Sequence, residues 1–337
     1  MNDDFPTIKG RSEPRQDVDE VQRSGLGATS RRALLAAGTG AALAAAAAAT
    51  TATPAAAELS AAGQHGHFST RIPVAPGVGV NVSDLNGGRR GTVLLVPGWP
   101  LSSKTLEYTS LFLADHGYRA IALDQRGFGE SDAPYGPYGY NVWAADIQTV
   151  LKTLSLRNVT LVAHSMGAAV AIRHVARYGN RIGKLVVAEA PVPRFVYGPH
   201  SADLAAGLAG LISGYATNRA ATIRDLTKNF FATHTDIDND PYLQWFERQC
   251  LDEASLPASR AGLIALRDTD LTSDLAKVSV PTLVIHAIND KVVPLDHGQA
   301  IANGIRNARL LTFATAGHAV YVDERDRFNA ELLRFID

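Results

Sequence analysis

The chain has 337 residues, 46% of them hydrophobic and 19% charged, with a formal net charge of -1. That length and apolar share suffice for a large core in one or two domains. The near-neutral charge, with no Lys/Arg-rich run in the globular part, argues against nucleic acid or an anionic membrane surface as partner, and the single cysteine, Cys250, excludes an intramolecular disulfide.

Residues 1–30 are polar, carry both charge signs and show no apolar periodicity, which predicts disorder. Ser30-Arg31-Arg32-Ala33-Leu34-Leu35 then leads into an alanine-dominated run ending near Ala57. A paired arginine before a weakly apolar segment resembles a twin-arginine export signal. Alanine and glycine contribute little transfer energy, so the run makes a poor membrane span. Pro54-Ala55-Ala56-Ala57 offers a small-residue cleavage site, with Glu58 as the first mature residue. The expectation is therefore a secreted or periplasmic bacterial protein that meets the export machinery through residues 1–57 and keeps no stable membrane span afterwards. The twin-arginine route carries folded proteins, and a chain with one cysteine needs no oxidative folding outside the cell.

The folded part starts near residue 65. His67 to Val82 alternates loosely and reads as paired edge strands, and Asn86-Gly87-Gly88 as a turn. Thr92 to Val96 is an unbroken apolar run ending at Pro97-Gly98, as suits a strand covered on both faces. A helix is expected over 105–116, stopped by Gly117, then a buried strand over 118–123 with Asp124 to Ser131 as its loop. Asn141 to Leu154 carries Val142, Ala145, Ile147, Val150 and Leu151 at helical spacing. Val159 to His164 is again a strand, and Ser165 stands between it and a helical run through Ile172. Lys184 to Glu189 adds a further strand. Strands alternating with helices at this spacing imply an α/β fold with a mostly parallel sheet.

From Pro191 to about Asp270 helical spacing dominates, and Phe230, Phe231, Tyr242, Trp245 and Phe246 supply aromatics. The expected division is a core over 58–191, a helical cap over 192–271 and the rest of the core over 272–337. Thr282 to His286 resumes the sheet, Ala308 to Phe313 ends it, and a helix over 326–336 closes the chain. Cys250 reads as a small filler on a cap helix.

Ala163-His164-Ser165-Met166-Gly167 has the pattern of a nucleophile elbow, with Ala163 in place of the first glycine. Ser165, Asp290 and His318 each follow a predicted strand, at the edge where open α/β sheets bind ligands. A serine needs a base to take its proton, and the base needs a third group to hold it, so this order along the chain fits acyl transfer. Taken singly, Asp290 could instead cap the helix near Pro294, and His318 could be an ordinary loop histidine. Acyl transfer also needs oxyanion donors, expected from the backbone N–H groups of Met166 and Trp99; Pro100 has none. His164 and His286 read as supporting or core residues, Asp124 and Arg126 as loop braces, and Glu189 as an alternative acid. Gly127-Phe128-Gly129 is too short for a dinucleotide fingerprint, and no His/Cys cluster suggests a metal, so no cofactor is expected.

From Val93 onward the chain resembles the α/β-hydrolase superfamily. The residues that carry the likeness are Gly98-Trp99-Pro100-Leu101, Asp124 to Ser131, Ala163 to Gly167, Asn289-Asp290 with Val293-Pro294, and Gly317-His318. Within it the chain is most similar to the cofactor-free haloperoxidase, perhydrolase and esterase group, whose oxyanion loop carries a histidine where this chain has Pro97. The resemblance implies an α/β-hydrolase fold with a helical cap, a Ser165–Asp290–His318 triad, and oxyanion amides at Trp99 and Met166. Trp99, Phe195, Phe230, Phe231 and Trp245 would line an apolar pocket for a small ester. Hydrogen peroxide in place of water is the alternative, and a non-catalytic ligand-binding protein on this fold the remote one.

Overall fold

The computed structural model describes residues 67–337. The arginine pair, the alanine-rich run, the cleavage site and the boundary after residue 57 lie outside the described residues. Eight strands form one sheet: β1 (His67–Ala75), β2 (Val78–Asn86), β3 (Thr92–Val96), β4 (Arg119–Leu123), β5 (Val159–His164), β6 (Ile182–Ala188), β7 (Thr282–Ala287) and β8 (Ala308–Phe313). Their order is β1-β2-β4-β3-β5-β6-β7-β8. The β1/β2 and β2/β4 pairs are antiparallel and all later pairs are parallel.

The apolar runs end where the sequence predicts because they lie in the middle of the sheet. Val93, Leu94, Leu95 and Val96 of β3 are wholly buried, and every residue of β5 and β7 is buried. Each such aliphatic side chain contributes roughly 1.5–3 kcal/mol. The helices of the core are α1 (Glu107–Asp115), α2 (Tyr140–Thr153) and α3 (Ser165–Tyr178). The helix expected from 105 is preceded by a 3-10 turn, Ser103–Leu106, whose first N–H, that of Ser103, donates to Asp124 Oδ1 at 2.7 Å.

Between β6 and β7 come α4 (Ser201–Thr217), α5 (Arg219–Phe230), α6 (Pro241–Asp252), α7 (Leu256–Asp268) and the short α8 (Thr272–Leu275). Three of them start on side-chain caps: Asn218 accepts from Ala221 N–H, Asp240 from Tyr242 N–H and Ser255 from Ala258 N–H. Caps of this kind are worth about 1 kcal/mol each. Cys250 is fully buried in α6. After β7 follow α9 (Leu295–Gly304), α10 (Val320–Asp323) and α11 (Arg325–Ile336).

Two polar seams fasten the helical segment to the sheet. At one, Gly129 N–H donates to Glu253 O at 2.6 Å, Ser255 N–H to Gly127 O at 2.9 Å, and Ser102 Oγ to Glu253 Oε2 at 2.6 Å. At the other, Asp323 accepts the N–H groups of Ala232 and Thr233 at 2.9 Å each, and that of Gly317 at 2.8 Å. The second seam adjoins the loop that carries His318.

Candidate active site

Ser165 is the first residue of α3 and sits on the sharp turn out of β5, with φ of +51°. A serine in the left-handed region is strained, and such strain persists only where surrounding packing enforces it. The enforcement here is close approach. A Cβ on Gly167 would lie 2.2 Å from the carbonyl oxygen of Pro97, and one on Gly98 would lie 2.8 Å from His164 Nδ1. Ala163, by contrast, is an ordinary buried strand residue paired with Val96 and Val187, so alanine fits where the elbow pattern has glycine.

The structure brings Ser165, His318 and Asp290 together. His318 Nε2 is 2.9 Å from Ser165 Oγ, and His318 Nδ1 is 2.7 Å from Asp290 Oδ2. Asp290 Oδ1 accepts the N–H groups of Val292 and Val293 at 2.7 and 3.0 Å, which fixes the carboxylate. Burial alone would push the Asp290 carboxyl up, but the adjacent His318, through its charge and hydrogen bond, holds it well below the usual carboxylate range. An ionised Asp290 accepts from Nδ1–H, which leaves Nε2 free to accept the Ser165 proton. All three residues are buried, with Ser165 8% and His318 1% exposed.

The histidine is itself well supported. His164 Nε2 is 2.8 Å from the backbone oxygen of His318, and burial, together with the neighbouring His318, pulls His164 down to about 3. Neutral at ordinary pH, His164 donates to that oxygen and adds no charge beside the serine. The Phe230 ring meets His318 edge-on at 4.7 Å. His286 is also wholly buried, with Nε2 2.9 Å from Val293 O. Asp124 accepts from Ser103, Glu130 and Asn81, and Arg126 pairs with Asp146 at 2.5 Å. Both thus brace the loops beneath the site, as expected.

Neither the Trp99 nor the Met166 N–H has a backbone acceptor among the described residues. The Trp99 indole is buried, donates to Ser259 O at 2.9 Å and lies 5.5 Å from the Tyr215 ring. Pro97 stands where the resembling group has histidine, and its carbonyl accepts from Gln125 Nε2 at 3.2 Å, which braces the loop differently.

A cavity of about 850 Å³ lies between α4, α5 and the loop after β7. Of the five aromatics expected at a pocket, only Phe195 lines it, with Leu204, Leu211, Ile288 and Asp290 also in its wall. Phe230 and Phe231 are turned into the seam instead, each 4.9 Å from the Phe246 ring, and Trp245 stacks near Tyr242. Tyr215 against Trp99 and Asp323 against Ala232 and Thr233 escaped sequence reasoning, since each acts through a contact distant in the chain. Glu189 was legible as an acid at a strand end, but it sits beside Asp290 rather than in its place.

One donor set among the described residues is close enough to face a single cation: Glu189, Asp290 and His318, with ligand atoms within 4.8 Å of one another. A cation there would take His318 Nδ1 away from Asp290, so the arrangement fits a hydrogen-bonded chain better than a metal centre.

The family model for the α/β hydrolase fold matches residues 91–325. The chain is 35% identical to the AB hydrolase superfamily protein YisY of Bacillus subtilis over 277 residues, covering 80% of this chain and 98% of that one. It is 31% identical to a non-heme chloroperoxidase of Kitasatospora aureofaciens, over 77% of this chain and 97% of the other. Among solved structures, an esterase of Exiguobacterium antarcticum superposes with a TM-score of 0.74 at 32% identity, over 80% of this chain and 99% of that one.

Proposed function

This chain belongs to the α/β-hydrolase family and is an enzyme of that family, and on that premise we propose that it cleaves carboxylic esters through an acyl-enzyme on Ser165. The observation that carries the proposal is the buried hydrogen-bonded chain from Ser165 Oγ through His318 to Asp290. Ser165 Oγ attacks the ester carbonyl carbon while His318 Nε2 takes its proton. The oxyanion accepts from the N–H groups of Trp99 and Met166, both without a backbone acceptor among the described residues. Collapse breaks the bond to the alcohol oxygen, which leaves with the proton from His318. Water then gives a proton to His318 and attacks the acyl carbon; the acid departs and Ser165 regains its proton. Asp290 remains ionised and steadies the imidazolium.

A fluorophosphonate probe should label the wild type on Ser165, and the protein should hydrolyse p-nitrophenyl acetate. Full turnover by Ser165→Ala would overturn the proposal.

A second reading is favoured by the likeness to a non-heme chloroperoxidase. Hydrogen peroxide replaces water at the acyl-enzyme, and a peracid leaves in place of the acid. Bromination of a dye in acetate with peroxide is the expected outcome; good ester hydrolysis without bromination leaves the first reading standing. We further propose that Arg31 and Arg32 direct export, so that replacing both with lysine retains the protein in the cytoplasmic fraction.

A further inference from the structure

Behind Asp290 and His318 stands another acid that the ester reaction does not use. Glu189 follows the last residue of β6, is wholly buried and has φ of +53°. Its Oε1 accepts the Ala287 N–H at 2.9 Å, which ties it to β7, the strand that leads to Asp290. Its Oε2 is buried and has no hydrogen-bond partner; nearest it stand His286 Nε2 at 3.3 Å and the Asp290 carboxyl, with Glu189, Asp290 and His318 polar atoms all within 4.8 Å of one another. The His286 N–H is directed at Val293 O.

Two desolvated carboxyls this close disfavour a charge on both, so one keeps a proton. The donors decide which. Asp290 is served by two backbone N–H groups and by His318, whereas Glu189 is served by one backbone N–H. Burial first, and then the Asp290 charge, push the Glu189 carboxyl well above the usual range. The remaining groups that face the pair do not reverse this: His286 is held down by burial, Asp323 adds to the upward push on Glu189, and His297 disfavours charge on His286.

We propose that Glu189 is a positioning residue whose carboxyl O–H donates to Asp290, keeping one negative charge behind His318 and holding Asp290 on the imidazole. Losing this donor concentrates the charge on Asp290. His318 then keeps its proton more tightly, and the base becomes free only at higher pH. The proposal rests on the acyl-enzyme reading for its kinetic consequences but not for its spectroscopic ones.

The experiment compares wild type, Glu189→Gln and Glu189→Leu in p-nitrophenyl acetate hydrolysis across pH. The deshielded proton of the His318–Asp290 hydrogen bond is followed by NMR. Glu189→Leu should lower kcat roughly tenfold with little change in KM, and move the acid limb of the pH profile upward. The deshielded proton should shift as well. Glu189→Gln, which can still donate, should stay within about threefold of wild type with its limb in place. A folded Glu189→Leu with wild-type profile and proton signal overturns the proposal, as does an equal loss in both variants. An infrared C=O band of a protonated carboxyl at neutral pH, lost in Glu189→Gln, tests the same proton where Glu189→Leu does not fold; no such band overturns it. If the wild type resists the fluorophosphonate probe, the acyl-enzyme reading falls, and the proton and the band still decide the role of Glu189.

Discussion

The sheet and the helical segment between β6 and β7 are held by different means. In β5 and β7 every residue is buried, whereas α4 has seventeen residues of which only Leu208 and Tyr215 are buried. The sheet is fixed by apolar area. The helical segment joins that core through buried side chains such as Ile223, Phe230, Leu243, Phe246 and Leu263, and is fastened in addition by hydrogen bonds at Glu253 on one side and Asp323 on the other. A change in the sheet should therefore show first in stability, and a change at the seams first in turnover.

The largest expected effect tests the chemistry that both regions surround. Ser165→Ala should cost about 10³-fold or more in kcat with little loss of thermal stability, measured by ester hydrolysis and circular dichroism. Next, Gly167→Ala places a Cβ 2.2 Å from Pro97 O, so α3 and the loop after β3 must separate. That moves Ser165 relative to the Trp99 amide, and about 100-fold in kcat should go with a lower melting temperature. An unchanged melting temperature would mean the sheet side yields more easily than its packing implies. Asp323→Ala removes the acceptor of three backbone N–H groups on two loops. It should lower kcat about tenfold while the sheet melts nearly as before, and limited proteolysis should open near 230–233. A large fall in stability instead would show that the seam, and not the sheet, sets the unfolding transition.

The same contrast explains what could be read beforehand. Thr92 to Val96 and Val159 to His164 announce themselves because a strand covered on both faces must be apolar throughout; Ser165 follows such a strand directly, and Asp290 and His318 lie on the loops after β7 and β8. The helices between β6 and β7 could be read as helices, and Asn218, Asp240 and Ser255 even mark the starts of three of them. Their partners could not. Phe230 packs on His318 and Phe246, and Phe231 on Phe246, while Tyr215 carries no local sign that it meets Trp99. Amphipathic spacing gives the buried side of a helix but not the surface it buries against. Glu189 has the same limit: its strand shows it to be interior, but its contact with Asp290 joins residues about a hundred positions apart.

The smallest expected effect is a slope, and it lies on the sheet side, where Glu189 is a wholly buried acid at the end of an apolar strand. The folded value of Glu189 is raised by burial and by Asp290. Its contribution to stability is therefore fully present below its unfolded value, about 4.3, and is lost as the pH rises through the raised folded value. Asp290 runs the other way: its folded value is lowered, so its contribution is present above the unfolded carboxyl value and is lost as the pH falls through the folded one. Glu189→Gln removes only the first of these, because an amide does not titrate and Asp290 keeps a donor. The melting temperature of Glu189→Gln relative to wild type should thus be flat below about pH 4 and rise as the pH climbs above it. A difference that stays constant across that window would place the shared proton elsewhere than on Glu189. It would leave Asp290 held by Val292, Val293 and His318 alone.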